Sequence, residues 1–330
     1  MCGFAGILDF RHNLGPDALE RAIGAMTASL AHRGPDAAGA VVEEGLAFGH
    51  RRLSIIDVSE TGAQPMQSAC GRYLLVFNGT VYNFRDLRRE LAAKGVKFQG
   101  TSDTEVLLEA FAREGHLIFD RIDGMFAVAL YDRAKRELVL ARDRAGEKPL
   151  YYSITEAGVI FASELTSIEA CPYTFLDISR EAVAAYLAFR YVPAPHTIYG
   201  AVQKLEPGTV MRVGSEASPT FRTLARPEYI GPTDPAHLTD TLEAALVQAI
   251  KRRLSAADVP IGLFLSGGLD SSLVAALAAR HSEVDFTAFT FAFEGDPQSE
   301  AEAAAGIARH LNIPHQVIRA SDALIEERLQ

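Results

Sequence analysis

The second residue of the chain, Cys2, has the chemistry of a nucleophile that carries its own general base. Because a cysteine side chain is small, the preceding Met1 is expected to be removed, which leaves a free α-amine on Cys2. An N-terminal amine has an unperturbed pKa of about 7.7–8.0, so it can accept a proton near neutral pH. N-terminal threonine nucleophiles combine the attacking group and the base in the same way. Taken alone, Cys2 could also be a small buried residue at a fraying terminus.

An Asn-Gly pair could stabilise the oxyanion that forms when a thiol attacks an amide. Such a site needs hydrogen-bond donors aimed at the developing negative charge. Asn78 and Gly79 follow a predicted strand at 73–77, and they could supply a side-chain amide and a backbone N–H. The alternative is that these two residues only form a turn, which is a common use of the dipeptide.

An amino-acid substrate would also need a cation for its carboxylate and an anion for its ammonium group. Arg52, which precedes a strand-like segment at 53–56, is the candidate cation. Asp103 is the candidate anion, although it could equally be the N-cap of a helix that begins at Thr104.

A glycine- and serine-rich segment, 266–272, could bind an anion such as a phosphate. It joins an apolar strand to an alanine-rich helix, so its backbone N–H groups and the helix N-terminus can approach a negative charge. The segment lacks the Gly-Lys-Ser/Thr ending of a Walker A loop, which disfavours transfer of a γ-phosphate. A glycine turn that binds nothing is the alternative.

The elements that must position these residues change character along the chain. The first half mixes many short strands with a few amphipathic helices, which predicts stacked sheets flanked by helices. We predict helices at 17–30, 84–94 and 104–113 and strands at 41–42, 46–48, 73–77, 125–131, 137–141, 150–154 and 159–162.

Prolines are frequent between residues 172 and 235, and regular alternation follows them. The alternation of helices and strands predicts a parallel sheet of βαβ units, and therefore a second domain. We predict helices at 236–254, 271–280 and 300–311 and strands at 259–265, 286–293 and 315–318.

Composition narrows the class of protein. The 330 residues carry a formal net charge of −10, which argues against a nucleic acid as the main partner. The three cysteines are too few for a disulfide framework, which favours a reducing cytoplasm. No apolar stretch approaches the ~20 residues of a membrane helix, and charged residues interrupt any early signal-like run.

Many motifs along the chain occur in the order of one known family. They include Met1-Cys2-Gly3-Phe4, Arg33-Gly34-Pro35-Asp36, His50-Arg51-Arg52-Leu53-Ser54-Ile55-Ile56-Asp57, Asn78-Gly79-Thr80-Val81-Tyr82-Asn83, Ser102-Asp103-Thr104-Glu105-Val106, Asp123-Gly124-Met125-Phe126-Ala127, Arg142-Asp143-Arg144, Lys148-Pro149-Leu150-Tyr151-Tyr152 and Phe161-Ala162-Ser163-Glu164. The chain thus resembles the class II glutamine amidotransferases, specifically glutamine-hydrolysing asparagine synthetase. The resemblance implies a glutaminase domain at 1–195 with an Ntn-type αββα sandwich, a connecting region at 196–235, and the first part of an ATP-binding domain at 236–330.

The resemblance also implies roles for the candidate residues of the first domain. Cys2 would be the nucleophile, and Asn78 with Gly79 would form the oxyanion hole. Arg52 would hold the carboxylate of glutamine, and Asp103 would receive its ammonium group.

One position departs from the family pattern. The family usually has Asn-Gly-Glu where this chain has Asn78-Gly79-Thr80. The missing carboxylate would help to bind the ammonium group of glutamine, and a charge-assisted hydrogen bond contributes roughly 1.5–3 kcal/mol. We therefore expect glutamine binding that is weakened about tenfold to a hundredfold, and slow rather than absent hydrolysis.

The loop at 266–272 is similar to the Ser-Gly-Gly-x-Asp-Ser loop of PP-loop ATP pyrophosphatases. By that resemblance Asp270 would ligate Mg²⁺, while Leu265 and Phe291 would line the adenine pocket, although Phe291 could also be plain core. The phosphates of ATP would be cradled by Ser266, Gly267, Gly268, Ser271 and Ser272.

The implied activity is a carbon–nitrogen ligase of amino-acid biosynthesis that makes asparagine from aspartate with ATP and ammonia from glutamine. No second acidic, glycine-rich loop follows 315–318, so we expect a chain that is C-terminally truncated relative to the family and limited to glutamine hydrolysis. Amidation of another carboxylate, or a non-catalytic glutamine-binding paralogue, are the alternatives. The resemblance leaves a homodimer open.

Overall fold

The computed structural model describes the chain except residues 156, 215–217, 226–233, 283, 294, 296–298 and 322–330. The chain forms two compact units, Met1–Pro227 and Glu228–Gln330. Parts of the predicted connecting region and the last residues of the predicted second domain lie outside the described residues. Within the described part, no helix has the length and apolarity needed to cross a bilayer.

The first unit contains two six-stranded antiparallel sheets. In spatial order, the first sheet consists of β10 (Gln203–Lys204), β8 (Tyr151–Ile154), β9 (Gly158–Ala162), β1 (Gly3–Asp9), β3 (Leu46–Arg52) and β2 (Ala37–Glu43). The second sheet consists of β12 (Thr220–Thr223), β11 (Thr209–Val213), β7 (Glu137–Arg142), β6 (Gly124–Asp132), β5 (Tyr73–Val81) and β4 (Met66–Gln67). The helices are α1 (Pro16–Ala28), α2 (Phe84–Ala93), α3 (Asp103–Glu114), α4 (Leu165–Glu169) and α5 (Arg180–Phe189), with 3₁₀ turns at Glu60–Gly62 and Gly115–Asp120.

Three apolar cores hold these elements in four layers. Between the sheets, Phe4 and Phe48 of the first sheet share a core with Val76 of the second. Ile23 of α1 packs on the outer face of the first sheet, and Leu107 of α3 packs on the outer face of the second. The predicted stack of two sheets flanked by helices is therefore confirmed for the first unit.

The strand that positions Cys2 has no clear signal in the sequence. All seven residues of β1 are buried, because the strand lies in the middle of its sheet between β3 and β9. A strand that is buried on both faces lacks the polar–apolar alternation by which strands are recognised. The strand-like segment expected at 53–56 is wrong, because β3 ends at Arg52 and the chain then leaves the sheet.

The predicted connecting region at 196–235 contains β10, β11 and β12, each of which extends a sheet of the first unit. β11 pairs with β7 from Val210–Ala141 to Val213–Leu138, so this segment completes the second sheet. These strands are two to five residues long and lie among prolines and glycines, which hides their pattern in the sequence.

The second unit contains a three-stranded parallel sheet with the order β13 (Ile261–Phe264), β14 (Phe286–Phe293) and β15 (His315–Ala320). Its helices are α6 (Pro235–Leu254), α7 (Leu269–His281) and α8 (Ala301–Leu311). The predicted βαβ alternation is present in this unit.

Candidate active site

Cys2 lies directly before the central strand β1 and is held in place by other parts of the chain. Its Sγ accepts a hydrogen bond from the backbone N–H of Leu53 at 3.3 Å. Arg33 donates from Nε to the carbonyl oxygen of Cys2 at 2.9 Å, and Glu164 holds the Arg33 Nη1 at 2.6 Å. The terminus is therefore ordered by three segments, and the explanation of Cys2 as a residue of a fraying end does not fit.

The structure brings all five residues of the predicted glutamine site together. Cys2, Arg52, Asn78, Gly79 and Asp103 line one cavity of about 280 Å³. Drug-sized ligands occupy pockets of about 300–1,000 Å³, so this cavity suits a smaller ligand of amino-acid size. The roles of the residues rest on what each presents to the cavity.

Asn78 presents a hydrogen-bond donor that the protein itself does not use. The residue lies within β5 opposite Ala127, so the turn alternative is wrong. Its side chain is buried, and its Nδ2 has no acceptor among the described residues. An unpaired buried donor costs about 1–3 kcal/mol, so its place in the wall of the cavity suggests that a ligand supplies the acceptor.

Gly79 follows Asn78 where the backbone of β5 passes very close to β6. A Cβ atom at this position would lie 2.2 Å from the carbonyl oxygen of Met125. Only glycine fits this approach, and its backbone therefore reaches the cavity with no side chain in front of it.

Arg52 brings a buried positive charge to the cavity. Its guanidinium donates to the carbonyl oxygens of Ser59 at 2.8 Å and Ile56 at 3.3 Å, and also to that of Asp57. Within the described part of the chain, no carboxylate oxygen lies within ion-pair distance of Arg52. A Cβ atom at Gly62 would lie 2.1 Å from the Nη2 atom, so the glycine makes room for this side chain. The guanidinium is thus oriented by carbonyls, and its charge remains available to a ligand carboxylate.

Asp103 brings a buried negative charge to the same cavity. The N-cap of α3 is Ser102, whose side chain accepts the N–H of Glu105 at 3.2 Å, so the N-cap alternative for Asp103 is wrong. The Oδ2 atom of Asp103 accepts the N–H of Val81 at 2.9 Å. Burial raises the pKa of Asp103 to about 6 despite these hydrogen bonds, and a ligand cation would stabilise its charged form.

The cavity contains no side-chain base of the kind that activates many thiols. His50, the histidine in the adjacent strand, donates from Nε2 to the carbonyl oxygen of Phe77 at 3.1 Å, and burial lowers its pKa to about 4. No histidine lines the cavity among the described residues. Burial raises the pKa of the Cys2 thiol, so the thiol needs a base, and the α-amine that removal of Met1 would create on Cys2 is adjacent to it.

Two lining residues, Gln64 and Lys148, were not identified as site residues from the sequence. The Oε1 atom of Gln64 accepts the backbone N–H of Phe77 at 2.6 Å, beside Asn78. Lys148 is buried close to Met1. In the sequence, Lys148 is part of a family motif but has no predicted role. Neither Lys148 nor Gln64 has a spacing from Cys2 that would indicate a shared site.

In the second unit, residues 265–268 form the loop between β13 and α7. The predicted anion-binding segment 266–272 continues into the first turn of α7, because the helix begins at Leu269 and not at Ser271 as predicted. The Oγ atoms of Ser266 and Ser271 are 2.8 Å apart, and Ser272 donates to the carbonyl oxygen of Gly268 at 2.6 Å. These hydroxyls therefore shape the loop. The 13-residue helix α7 has no side-chain N-cap bond, so its first N–H groups can receive an anion such as a phosphate.

The two residues predicted to line an adenine pocket lie directly after β13 and on the neighbouring strand β14, and they differ in exposure. Leu265 is buried in the core beneath α7 and α8, whereas Phe291 is 58% exposed beside Phe264. Phe291 is thus not plain core, and its side chain points away from the alternate buried residues of β14. Asp270 lies in the first turn of α7, and the described residues contain no group of three or more potential metal ligands.

Each of the two units matches a known protein family. The glutamine amidotransferase domain family matches residues 1–222, and the asparagine synthase family matches residues 241–330. The chain is similar to asparagine synthetase [glutamine-hydrolyzing] 1 of Bacillus subtilis, with 36% identity over 95% of this chain and 49% of the relative. It is also similar to asparagine synthetase B of Escherichia coli, with 30% identity over 96% of this chain and 54% of the relative. The chain spans about half the length of these relatives.

A solved structure of glutamine phosphoribosylpyrophosphate amidotransferase from B. subtilis has a similar fold. The match has a TM-score of 0.50 and 19% identity, and it covers 100% of this chain and 71% of that chain. At this identity the likeness concerns the fold alone, and it agrees with the Ntn-type arrangement predicted for the first unit.

Proposed function

Since this chain belongs to the family of glutamine amidotransferase domains, we propose that its first unit hydrolyses glutamine with Cys2 as the nucleophile. One observation carries the proposal: a thiol, an unused amide donor, an unpaired guanidinium and a buried carboxylate all line one cavity. The guanidinium of Arg52 and the carboxylate of Asp103 match the two charged groups of a free amino acid. The remaining groups match its side-chain amide.

The chemical step uses the residues in the following order. The α-amine of Cys2 takes the thiol proton, and the sulfur attacks the side-chain amide carbon of glutamine. The carbonyl oxygen becomes an oxyanion that accepts hydrogen bonds from the side-chain N–H of Asn78 and the backbone N–H of Gly79. When the oxyanion collapses, the C–N bond breaks, and the leaving nitrogen takes the proton from the Cys2 ammonium and departs as ammonia. Water then cleaves the thioester to glutamate and restores the thiol.

Covalent labelling tests this proposal against a non-catalytic glutamine-binding protein. A glutamine analogue with a diazoketone in place of the side-chain amide should modify Cys2 and leave Cys70 and Cys171 unmodified in a peptide mass map. An excess of glutamine should protect Cys2. A chain that binds glutamine yet shows no labelling of Cys2 would be a sensor and not an amidotransferase.

For the second unit we propose ATP as the ligand of the loop at 266–272 and aspartate as the acceptor of the ammonia. Ser266, Gly267, Gly268, Ser271 and Ser272 would form the phosphate cradle, because their loop leads into a helix without a side-chain cap. Asp270 would contribute one carboxylate to Mg²⁺, which usually takes only one or two from the protein. ATP would supply the energy that makes the acceptor carboxylate reactive. Pyrophosphate release that requires aspartate, measured on the whole protein, tests this assignment; release with another carboxylic acid instead would support the alternative acceptor.

The Thr80→Glu variant should bind glutamine more tightly than the wild type. Thr80 lines the cavity together with Asp103, so a glutamate there would add a second carboxylate for the substrate ammonium. We expect the KM for glutamine to fall about tenfold to a hundredfold at a pH near 8. Thr80→Gln, which has the same shape without the charge, is the matched control. Equal KM values in the two variants would show that the missing charge is not what limits binding.

The Asp103→Asn variant should lose glutamine hydrolysis without losing stability. Asp103 has a pKa of about 6 in the folded chain, against about 3.9 when unfolded, so above pH 6 its charge costs roughly 3 kcal/mol of unfolding free energy. This cost diminishes as the pH falls through 6 and is absent below about 4. Denaturant unfolding at pH 8 should therefore show equal or greater stability for the variant, with the difference vanishing near pH 4.

The exposed residue Asp86 supplies the control for this variant, since Asp86→Asn removes a carboxylate that lies outside the cavity and should not change glutamine hydrolysis. An Asp103→Asn chain that still hydrolyses glutamine at the wild-type rate would contradict the role of Asp103.

A further inference from the structure

Lys148 brings a buried cation to the place where the mature chain would begin. Its side chain lines the cavity that contains Cys2, and only 5% of the residue is exposed. Its Nζ atom lies 3.2 Å from the Sδ atom of Met1. Removal of Met1 would therefore take away the Nζ contact and leave the ammonium facing the new terminus.

The backbone of Lys148 is held by the side chains of Asp143, which is buried, and Arg142, which is half-buried. Asp143 accepts the N–H of Lys148 at 3.0 Å and the N–H of Glu147 at 2.9 Å. Arg142 donates from Nε to the carbonyl oxygen of Lys148 at 2.7 Å. The Nζ atom has no carboxylate within ion-pair distance among the described residues. Burial lowers the pKa of Lys148, while Glu147 and Asp143 raise it and Arg33 lowers it further. The loop thus holds the backbone of Lys148 beside the cavity and brings its ammonium group close to Met1.

The other charged groups near the terminus are largely compensated or turned elsewhere. Arg33 forms an ion pair with Glu164, which His32 also contacts from the solvent side. Asp36 accepts the backbone N–H of Ser54 at 2.8 Å. Arg52 and Asp103 lie at the same cavity with opposite charges, and both influence the Cys2 thiol. Lys148 is therefore the local cation whose charge is neither paired nor assigned to the substrate.

From this arrangement we propose that Lys148 is a positioning residue whose ammonium keeps the α-amine of mature Cys2 free of a proton near neutral pH. The inference rests on the proposed function, because it assigns a residue to the activation of the same nucleophile. Two like charges in a shared buried space disfavour each other, so the amine of Cys2 loses its proton more readily beside Lys148. In the chain that still carries Met1, burial lowers the pKa of the α-amine. Arg33 and Lys148 lower it further, while Cys2 and Asp36 raise it.

The positive charge of Lys148 determines the direction in which the pKa of the α-amine and the pH profile of the activity change. A lower pKa of the α-amine means a larger fraction of free base at a given pH, so the acid limb of the activity profile lies at lower pH. Removing the Lys148 charge should raise the pKa of the α-amine and move the acid limb of the activity profile to higher pH. At a pH well above this limb, the variant should regain the wild-type activity.

The test measures the α-amine directly in whole protein whose N-terminal Cys2 has been verified by mass spectrometry. The rate at which cyanate carbamylates this amine is followed against pH for the wild type, Lys148→Met and Lys148→Arg. We expect the apparent pKa to rise by about 1 in Lys148→Met and to stay within experimental error in Lys148→Arg. The acid limb of kcat/KM for glutamine should move in the same direction in Lys148→Met.

Lys94→Met, which removes an exposed lysine of the same unit, should leave the carbamylation profile unchanged. Lys148→Gln provides a second neutral variant if Lys148→Met does not fold. An unchanged amine pKa in a folded neutral variant would overturn the inference. A wild-type protein that hydrolyses no glutamine would instead count against the proposed function, because carbamylation does not depend on glutamine.

Discussion

Replacing Cys2 by alanine is expected to reduce glutamine hydrolysis by about 10⁴-fold or more, because the variant loses the atom that forms the thioester. The remaining groups of the cavity could still bind glutamine, so the loss should appear in kcat rather than in binding. Release of glutamate and ammonia measures the rate, and isothermal titration with glutamine measures the binding. The wild type should also show a transient mass increase of a glutamyl group on Cys2 that the variant lacks.

The chain offers a matched control for this variant. Cys70 is an exposed cysteine whose Sγ lies 3.3 Å from the Oγ of Ser68, outside the cavity. Cys70→Ala should retain the wild-type rate. Hydrolysis that survives in Cys2→Ala would exclude the proposed mechanism, and so would full activity in a mature chain that retains Met1, since the amine of Cys2 would then be an amide.

The Asn78→Ala variant should lower kcat by about 10²–10³-fold, the usual effect of removing one oxyanion donor. The donor acts on charge that develops only in the transition state, so the KM for glutamine should change much less. The Nδ2 atom of Asn78 has no acceptor among the described residues, so its removal breaks no hydrogen bond of the free protein at that atom. We therefore expect the free energy of unfolding to change by no more than about 1 kcal/mol.

Asn78→Asp tests the same point with a side chain of equal size. It replaces the donor by an acceptor and places a negative charge where the oxyanion would form, so its kcat should be at least as low as that of Asn78→Ala. A variant that loses stability and activity together would point to a structural role for Asn78. A raised KM with an unchanged kcat would show that the Asn78 amide binds the substrate in its ground state and does not stabilise the transition state.

The presence of Thr80 is the main sequence feature that favours a glutamine-binding protein without catalysis. A sensor would need Arg52 and Asp103, but it would have no use for a thiol in the same cavity as the Nδ2 atom of Asn78, which has no acceptor among the described residues. Under the proposed function, the threonine at position 80 would affect the binding of the substrate ammonium and not the groups around the reacting amide. We therefore expect it to weaken affinity more than the chemical step.

Several elements of the fold could be predicted because their signals are local. The amphipathic spacing of α1 and the glycines Gly95 and Gly115, which follow α2 and α3, are signals that depend on residues a few positions apart. The predicted ranges agree closely with the observed helices. The alternation of β13, α7, β14, α8 and β15 is likewise a local pattern. The strands in the predicted connecting region at 196–235 escaped notice because each is too short to show a period of its own.

Some features of the site can be predicted from residue types alone, and others depend on tertiary contacts. The sequence by itself determined which residues could act, since Cys2 beside a removable Met1 and the Asn78-Gly79 pair carry their chemistry in their types. Only the tertiary structure decided that Asn78 lies in a strand and not in a turn, and that Lys148 reaches the terminus. The physical reason is that these outcomes depend on which backbone lies opposite each residue across a sheet or a cavity, and burial then sets the charge state of Asp103. Neither quantity is a property of neighbouring residues along the chain.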